Sequence, residues 1–171
     1  MSASKGKWYA VYTRPRWEKK VHALLLDRGM EAYCPLNRVR KKWSDRMKWV
    51  EEPLFKSYVF VKVTQEEMPN VRLVDGVVNF VYWLGKPAQV RDKEIESIRK
   101  FLYEYRDVQV EPLDLKEDAE VSIRGGAFMD RRGKVMKVLN NRVQVLIESI
   151  GFRLVAVVEK SNIAVIGKQS V

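Results

Sequence analysis

Two residues whose types often carry covalent or metal chemistry are each the single one of their kind in this sequence: Cys34 and His22. One cysteine allows no disulfide within the chain. One cysteine and one histidine fall short of the roughly four ligands a structural zinc site of that type takes. Cys34 stands in "MEAYCPL", an apolar strand-like run, where a thiol is expected as a small buried hydrophobe. His22 follows Lys19 and Lys20 and reads as a partly exposed spacer or a phosphate contact, since no nucleophile motif accompanies it. "RGGAF" lacks the Lys-Ser/Thr ending of a phosphate loop, and no carboxylate pair emerges. The chemistry expected is therefore binding, by a chain that is not an enzyme and carries no metal or cofactor.

The binding chemistry is aromatic and cationic. In "EEPLFKSYVFVKV", Val59, Val61 and Val63 point one way and Tyr58, Phe60 and Lys62 the other, with Phe55 just upstream. A half-buried strand needs one apolar face, so an aromatic second face asks for a purpose. Cations cluster with rings elsewhere too. Arg14, Arg16, Lys19 and Lys20 surround Trp17, and Lys41, Lys42, Arg46 and Lys48 stand in one run with Trp43 and Trp49.

Those residues need elements to position them. "KWYAVYT" alternates as a strand, and "RPRWEKKVHALLLDRG" follows with Pro15 suited to a first helical turn and Gly29 to its close. Trp17, Val21, Leu24, Leu25 and Arg28 share a helical stripe, so Trp17 is a core residue in that reading. "MEAYCPLNRVR" returns as a strand, "KKWSDRMKWVEE" reads as a basic hairpin or solvated loop, and residues 57 to 63 form the strand above. "TQEEMPNVRLVDG" is weakly helical, "VVNFVYWLG" a strand and "KPAQV" a loop. "RDKEIESIRKFLYEYR" is an amphipathic helix on Ile95, Ile98, Phe101, Leu102 and Tyr105. This order predicts an α+β domain with a mixed or antiparallel sheet flanked by helices.

A composition shift divides the chain. Up to Arg106 there are 22 Lys+Arg against 13 Asp+Glu, a net of +9; from Asp107 the counts are 10 and 9, a net of +1. Sixteen of the 18 aromatic residues lie before residue 107, leaving Phe128 and Phe152. The basic, aromatic first part is the one expected to meet a polyanion. The expected boundaries are 1–106 for the first domain, 107–117 for a linker, and 118–171 for an all-β second domain. Short β-rich runs broken by Gly-Gly, Asn-Asn and "SIG" suggest that the second domain is an SH3-like barrel in its resting state. No apolar run approaches the roughly 20 residues of a membrane span, and "MSASKGKWYAVYTRPR" has no apolar signal region, so a cytoplasmic location is expected.

The tail "EDAEVSIRGGAFMDRRGKVMKV" resembles a KOW motif, with Phe128 after the glycine pair and Gly133 before alternating valines. "KWYAVYTRPRWEKKV", "EEPLFKSYVFV" and "DGVVNFVYWLGKPAQVRDKEIESI" resemble, in that order, the opening strand and helix, the central strand, and the final strand, loop and helix of the NusG family. The resemblance covers nearly the whole chain. The "EPLF..Y.FV" wording is similar to the specialised RfaH-like and UpxY-like antiterminators. It implies an N-terminal NGN domain, a C-terminal KOW domain, and a transcription elongation or antitermination factor that suppresses pausing or termination.

It also implies roles. The NGN domain would dock on the clamp helices of the largest RNA polymerase subunit through Tyr12, Phe55, Tyr58, Phe60 and Phe80, with Trp83 nearby. Arg14, Arg16, Lys19 and Lys20 would contact non-template DNA, with Trp17 stacking on a base or packing in the core. Lys41, Lys42, Arg46 and Lys48 would reach upstream DNA. Phe128, Ile150 and Phe152 would either close the barrel core or hold a small-subunit ribosomal protein or the Rho terminator. Asp75 departs from the RfaH-like pattern, which is basic at that point, and puts the DNA contact there in doubt. The alternative class is a general RNA- or ribosome-binding KOW protein, against which the near-neutral second part argues.

Overall fold

In the computed structural model of this protein, residues 6–113, 129–130, 134–139 and 142–157 are described. The first part runs β1 (Lys7–Thr13), α1 (Glu18–Asp27), β2 (Glu31–Tyr33), β3 (Leu36–Trp43), β4 (Arg46–Pro53) and β5 (Tyr58–Val63). A 3-10 turn at Gln65–Glu67 then leads into α2 (Met68–Arg72), β6 (Val77–Phe80), β7 (Tyr82–Trp83), β8 (Lys86–Pro87), β9 (Gln89–Val90) and α3 (Asp92–Glu104). The second part holds β10 (Gln109–Pro112), β11 (Met129–Asp130), β12 (Lys134–Leu139), β13 (Arg142–Ile147) and β14 (Phe152–Val157). The α+β class expected for the first part is the one found. No helix among the described residues is long and apolar enough to cross a membrane.

The first sheet has the order β2-β5-β1-β6, with β9 also pairing β1, and its pairings are antiparallel. Register separates its faces. Val11 opposes Val59 and Tyr9 opposes Val61, while Ala10 opposes Phe60 and Tyr12 opposes Tyr58. The first set packs with Val21 and Leu25 of α1 and Val71 of α2. The second set shares its face with α3, whose Ile95, Ile98 and Phe101 are buried against Trp8, Ala10 and Phe60. Both faces of the strand quoted above are thus covered. At about 1.5–3 kcal/mol for each fully buried large apolar side chain, these two layers supply the driving force for the fold.

The hairpin expected at 40–48 is longer. β3 and β4 pair from Leu36↔Pro53 to Trp43↔Arg46, and the strand expected as one piece is split into β2 and β3 by Cys34 and Pro35. Proline restricts the residue before it and donates no amide, so the chain turns there and starts a new pairing. Asn37, which is buried, ties the root of the hairpin to the segment after α3. Its Nδ2 donates to the Val108 carbonyl at 2.8 Å and its Oδ1 accepts from the Val108 N–H at 3.1 Å.

The second sheet has the order β10-β14-β13-β12-β11 and is antiparallel. β10 falls in the segment expected as linker: Gln109–Pro112 pairs with β14 from Gln109↔Val155 to Pro112↔Phe152. The alternation of Val108 and Val110 with polar neighbours gives that stretch a face to bury, which its proline and acidic residues mask in a reading by composition. The strands on either side of the Asn-Asn pair, which itself lies outside the described residues, run antiparallel with Leu139 opposite Arg142.

Candidate functional site

The sheet face carrying Tyr12, Tyr58 and Phe60 continues past α3, and the second sheet lies over it. Val143, Val145, Ile147, Ile150, Leu154 and Ala156 belong to the same buried cluster as Phe55, Phe60, Ile98 and Phe101. Phe152 meets Phe55 at a centroid distance of 5.9 Å and Tyr58 at 6.1 Å. Phe55 stands edge-on to Phe60 at 5.6 Å, and Tyr12 meets Tyr58 at 5.0 Å with their hydroxyls 3.5 Å apart. Burial, and next the neighbouring Tyr12 hydroxyl, raise the Tyr58 pKa above the ordinary tyrosine value.

The expected aromatic patch is therefore brought together in part. Tyr12 remains 39% exposed and Tyr58 is half-buried, whereas Phe55 and Phe60 are buried. Phe80 is a correction. It pairs opposite Val11, which puts it on the other sheet face, edge-on to Tyr9 at 5.9 Å in the α1-side core. The pairing with β1 decides this: directly opposed residues share a face, and Val11 faces the α1-side core. Trp83 lies against Gly151: a Cβ built on that glycine would sit 2.8 Å from Trp83 Cη2, and Gly151 has φ +71°, a conformation that suits glycine.

Of the residues expected to hold a C-terminal partner, Ile150 is buried and Phe152 half-buried at the seam between the two parts, and Phe128 lies outside the described residues. Two contacts fasten that seam. The Ser149 N–H donates to Glu94 Oε2 at 3.1 Å, and the Ser149 hydroxyl donates to Glu94 Oε1. Glu94 Oε1 also accepts from the Arg91 N–H at 3.0 Å at the start of α3. A cleft of about 610 Å³ runs along the seam, lined by Tyr12, Asn37, Phe55, Tyr58, Val110 and Phe152 among others. Glu94 and Ser149 escaped the sequence reading. The third helical position of "RDKE" signals a reach-back to the helix start, but nothing marks a partner 55 residues away.

The basic groups form two clusters. At the start of α1, Arg14, Arg16, Lys19 and Lys20 are exposed, and half-buried Trp17 packs on the α1-side core. Lys20 Nζ lies 4.3 Å from the Trp17 ring centroid and the Arg14 guanidinium carbon 5.6 Å. Gly76, at φ +89°, allows this packing, since a Cβ there would fall 2.4 Å from Trp17 Cε3. The exposed Asp75 directly precedes it. Lys19 Nζ donates to the Glu51 carbonyl at 3.2 Å, joining this cluster to β4.

The second cluster is the β3–β4 hairpin, where Lys41, Lys42, Arg46 and Lys48 are all exposed. Arg40 and Arg106 each approach the Trp49 ring to 5.1 Å, and Lys48 approaches Trp43 to 5.1 Å. His22 Nε2 lies 3.3 Å from the Ala32 carbonyl. Buried Cys34 has its thiol pushed up to about 11, first by burial and then by the Glu18 carboxylate. Among the described residues, no group of three or more His, Cys, Asp or Glu is placed to hold a metal ion.

Comparison with known proteins adds the family. The model of the transcription termination factor NusG family matches residues 6–99. The transcription termination/antitermination protein NusG of Streptococcus pyogenes serotype M1 is 31% identical over 177 residues, covering 95% of this chain and 97% of that protein. This chain belongs to the NusG family. The NusG protein of Lactococcus lactis subsp. lactis strain IL1403 is 26% identical over 158 residues, covering 84% of each chain. Among solved structures, one described as "Domain interaction in Thermotoga maritima NusG" is 22% identical, covers 92% of this chain and 95% of that one, and has a TM-score of 0.49. The NusG match at 6–99 takes in both basic clusters and the aromatic face up to α3.

Proposed function

We propose that this NusG-family chain is a transcription elongation and antitermination factor of the specialised type. Its first domain binds RNA polymerase through the clamp helices of the largest subunit, and the bound state suppresses pausing or termination. The observation that carries the reading is the aromatic face of β1 and β5, where Tyr12 and Tyr58 stand on rigid strands with Phe55 and Phe60 beneath them. Large rings on a rigid scaffold are what a protein-binding hot spot requires.

Tyr12, Tyr58, Phe55 and Trp83 make the contact, and Phe60 and Phe80 support it from within the core. Because the second sheet covers Phe55, docking requires that sheet to move aside, which frees Ile150 and Phe152 for a small-subunit ribosomal protein or Rho. The α1 cluster and the hairpin hold DNA of the elongation complex by neutralising phosphates. A ligand that binds the state of the polymerase that does not pause more tightly by about 1.4 kcal/mol shifts the ratio of the two states tenfold.

Single-round transcription elongation with the cognate purified polymerase tests this. Wild type is expected to shorten pauses or raise read-through, and folded Tyr58→Ala and Tyr12→Ala variants to lose that effect. Wild-type inactivity on every template, including the leader of its own operon, would favour a general RNA- or ribosome-binding role instead.

A further inference from the structure

We propose that the β3–β4 hairpin binds single-stranded nucleic acid through one face only, with Trp43 as the platform on which a base stacks. This deepens the nucleic-acid role given to the hairpin above and rests on it. The register divides the ribbon. Directly opposed residues share a face, and Lys41 opposes Lys48 while Trp43 opposes Arg46. One face therefore carries Trp43 with Lys41, Arg46 and Lys48. Arg40 opposes Trp49 and Lys42 opposes Met47, so the second face carries Trp49 with Arg40, Lys42 and Met47.

The two tryptophans differ in what is left for a ligand. Two guanidiniums, Arg40 and Arg106, crowd the Trp49 ring at 5.1 Å each. The strap behind it is fixed, since the Asp107 carboxylate accepts from the Arg40 N–H at 3.1 Å and the Asp107 N–H donates to the Arg38 carbonyl at 2.8 Å. Trp49 is thus part of the joint that sets the angle of the hairpin. Trp43 lies at the tip, beside Ser44 at φ +51°, and is 55% exposed with the single Lys48 ammonium over its ring.

The face around Trp43 is poor design for stability and good design for a polyanion. Lys41 and Lys48 face each other, and like charges directly opposed weaken a ribbon. Among the described residues, the one carboxylate engaged with these cations is Glu52, toward the root, at 3.0 Å from Lys41 Nζ. Asp45 at the turn is the other acid near the tip. An exposed ring flanked by cations meets both needs of an unpaired strand, stacking for the base and neutralisation for the phosphate. A duplex in a groove would draw on cations from both faces and on neither ring.

The test is fluorescence anisotropy of the full chain with labelled oligo(dT) of 12 nucleotides and with a labelled 20-base-pair duplex, over a salt series. Trp43→Leu is expected to weaken oligo(dT) binding about 5- to 150-fold, the span that one stacked base carries, with its salt slope unchanged. Trp43→Phe keeps a ring and should retain most of the affinity, which separates stacking from a folding defect. Lys48→Gln should reduce the slope of log K against log salt by about 0.7. Trp43→Leu binding oligo(dT) like wild type would overturn the proposal, and so would an equal loss on the duplex. Wild type that fails to bind oligo(dT) while still acting in the elongation assay would overturn it and leave the polymerase reading standing. Trp43-dependent binding in a chain without elongation activity would do the reverse.

Discussion

Ser149 and Glu94 join the two halves of the molecule: the Ser149 amide and hydroxyl both donate to the buried Glu94 carboxylate at the start of α3. The carboxylate has no room for a second negative group. Ser149→Asp is therefore expected to open the seam, because it replaces a hydroxyl donor to the buried Glu94 carboxylate with a like charge that repels it. NMR would read this as loss of contacts between Phe152 and Phe55 and as independent tumbling of the two parts. Retention of those contacts at pH 7 would show that the apolar seam alone holds the halves together.

Phe152 covers Phe55 and Tyr58, so trimming it should expose the proposed docking face. A binding-competent state that is only fractionally populated lowers apparent affinity by that fraction. Phe152→Ala is expected to tighten polymerase binding, by about tenfold for each 1.4 kcal/mol removed from the seam. Titration of labelled variant and wild type against purified polymerase checks this. Weaker binding by a folded variant would place Phe152 in the contact itself, and unchanged binding would show that Phe152 does not limit access to the face.

Cys34 and Tyr33 set an alkaline limit on stability. Burial is the main cause that raises Cys34 from 9.0 to about 11 and Tyr33 from 10.0 to about 12, the latter against the opposing charge of Arg99. Both groups are favoured in their neutral, protonated form in the fold. Their contribution is fully present below about pH 9 and is lost as pH rises through 11 and then 12. Thermal unfolding should show Tm independent of these groups between pH 7 and 8.5 and falling above pH 9. Cys34→Ala should remove the part of that fall belonging to the thiol. A disulfide reagent at pH 8 should label wild type slowly until denaturant is added.

The two faces of β5 were legible from alternation, because a strand's period of two needs no tertiary information. The helices α1 and α3 were legible from their apolar stripes for the same kind of reason. Other features were not. The placement of Phe80 depended on which residue of β1 it faces, Val11, which spacing within "VVNF" does not encode. The covering of Phe55 by Phe152 joins residues 97 positions apart, and an aromatic face reads alike whether a partner or the chain itself covers it. The use of Gln109–Pro112 as a strand depended on β14 being available beside it. The hairpin cations were visible as a run, but which of them share a face with Trp43 followed only from the pairing of Trp43 with Arg46.

Asn37 controls how the hairpin is carried. Its side chain closes a two-bond bridge to both backbone groups of Val108, at 2.8 and 3.1 Å, in a site with little solvent access. Asn37→Ala leaves a buried N–H and a buried carbonyl without partners, at about 1–3 kcal/mol for each orphaned group. Asn37→Asp keeps the acceptor for the Val108 N–H and loses the donor to its carbonyl, so it should cost less than alanine if its charge is tolerated and more if it is not. Urea unfolding of the three chains measures the difference. The hairpin itself should persist in Asn37→Ala, since β3 and β4 pair through eight residue pairs. Its direction should loosen, and hydrogen exchange at Val108 and Arg40 should rise before exchange within the ribbon does. Equal protection at Val108 in wild type and Asn37→Ala would show that the Asp107 strap to Arg38 and Arg40 holds the joint without it.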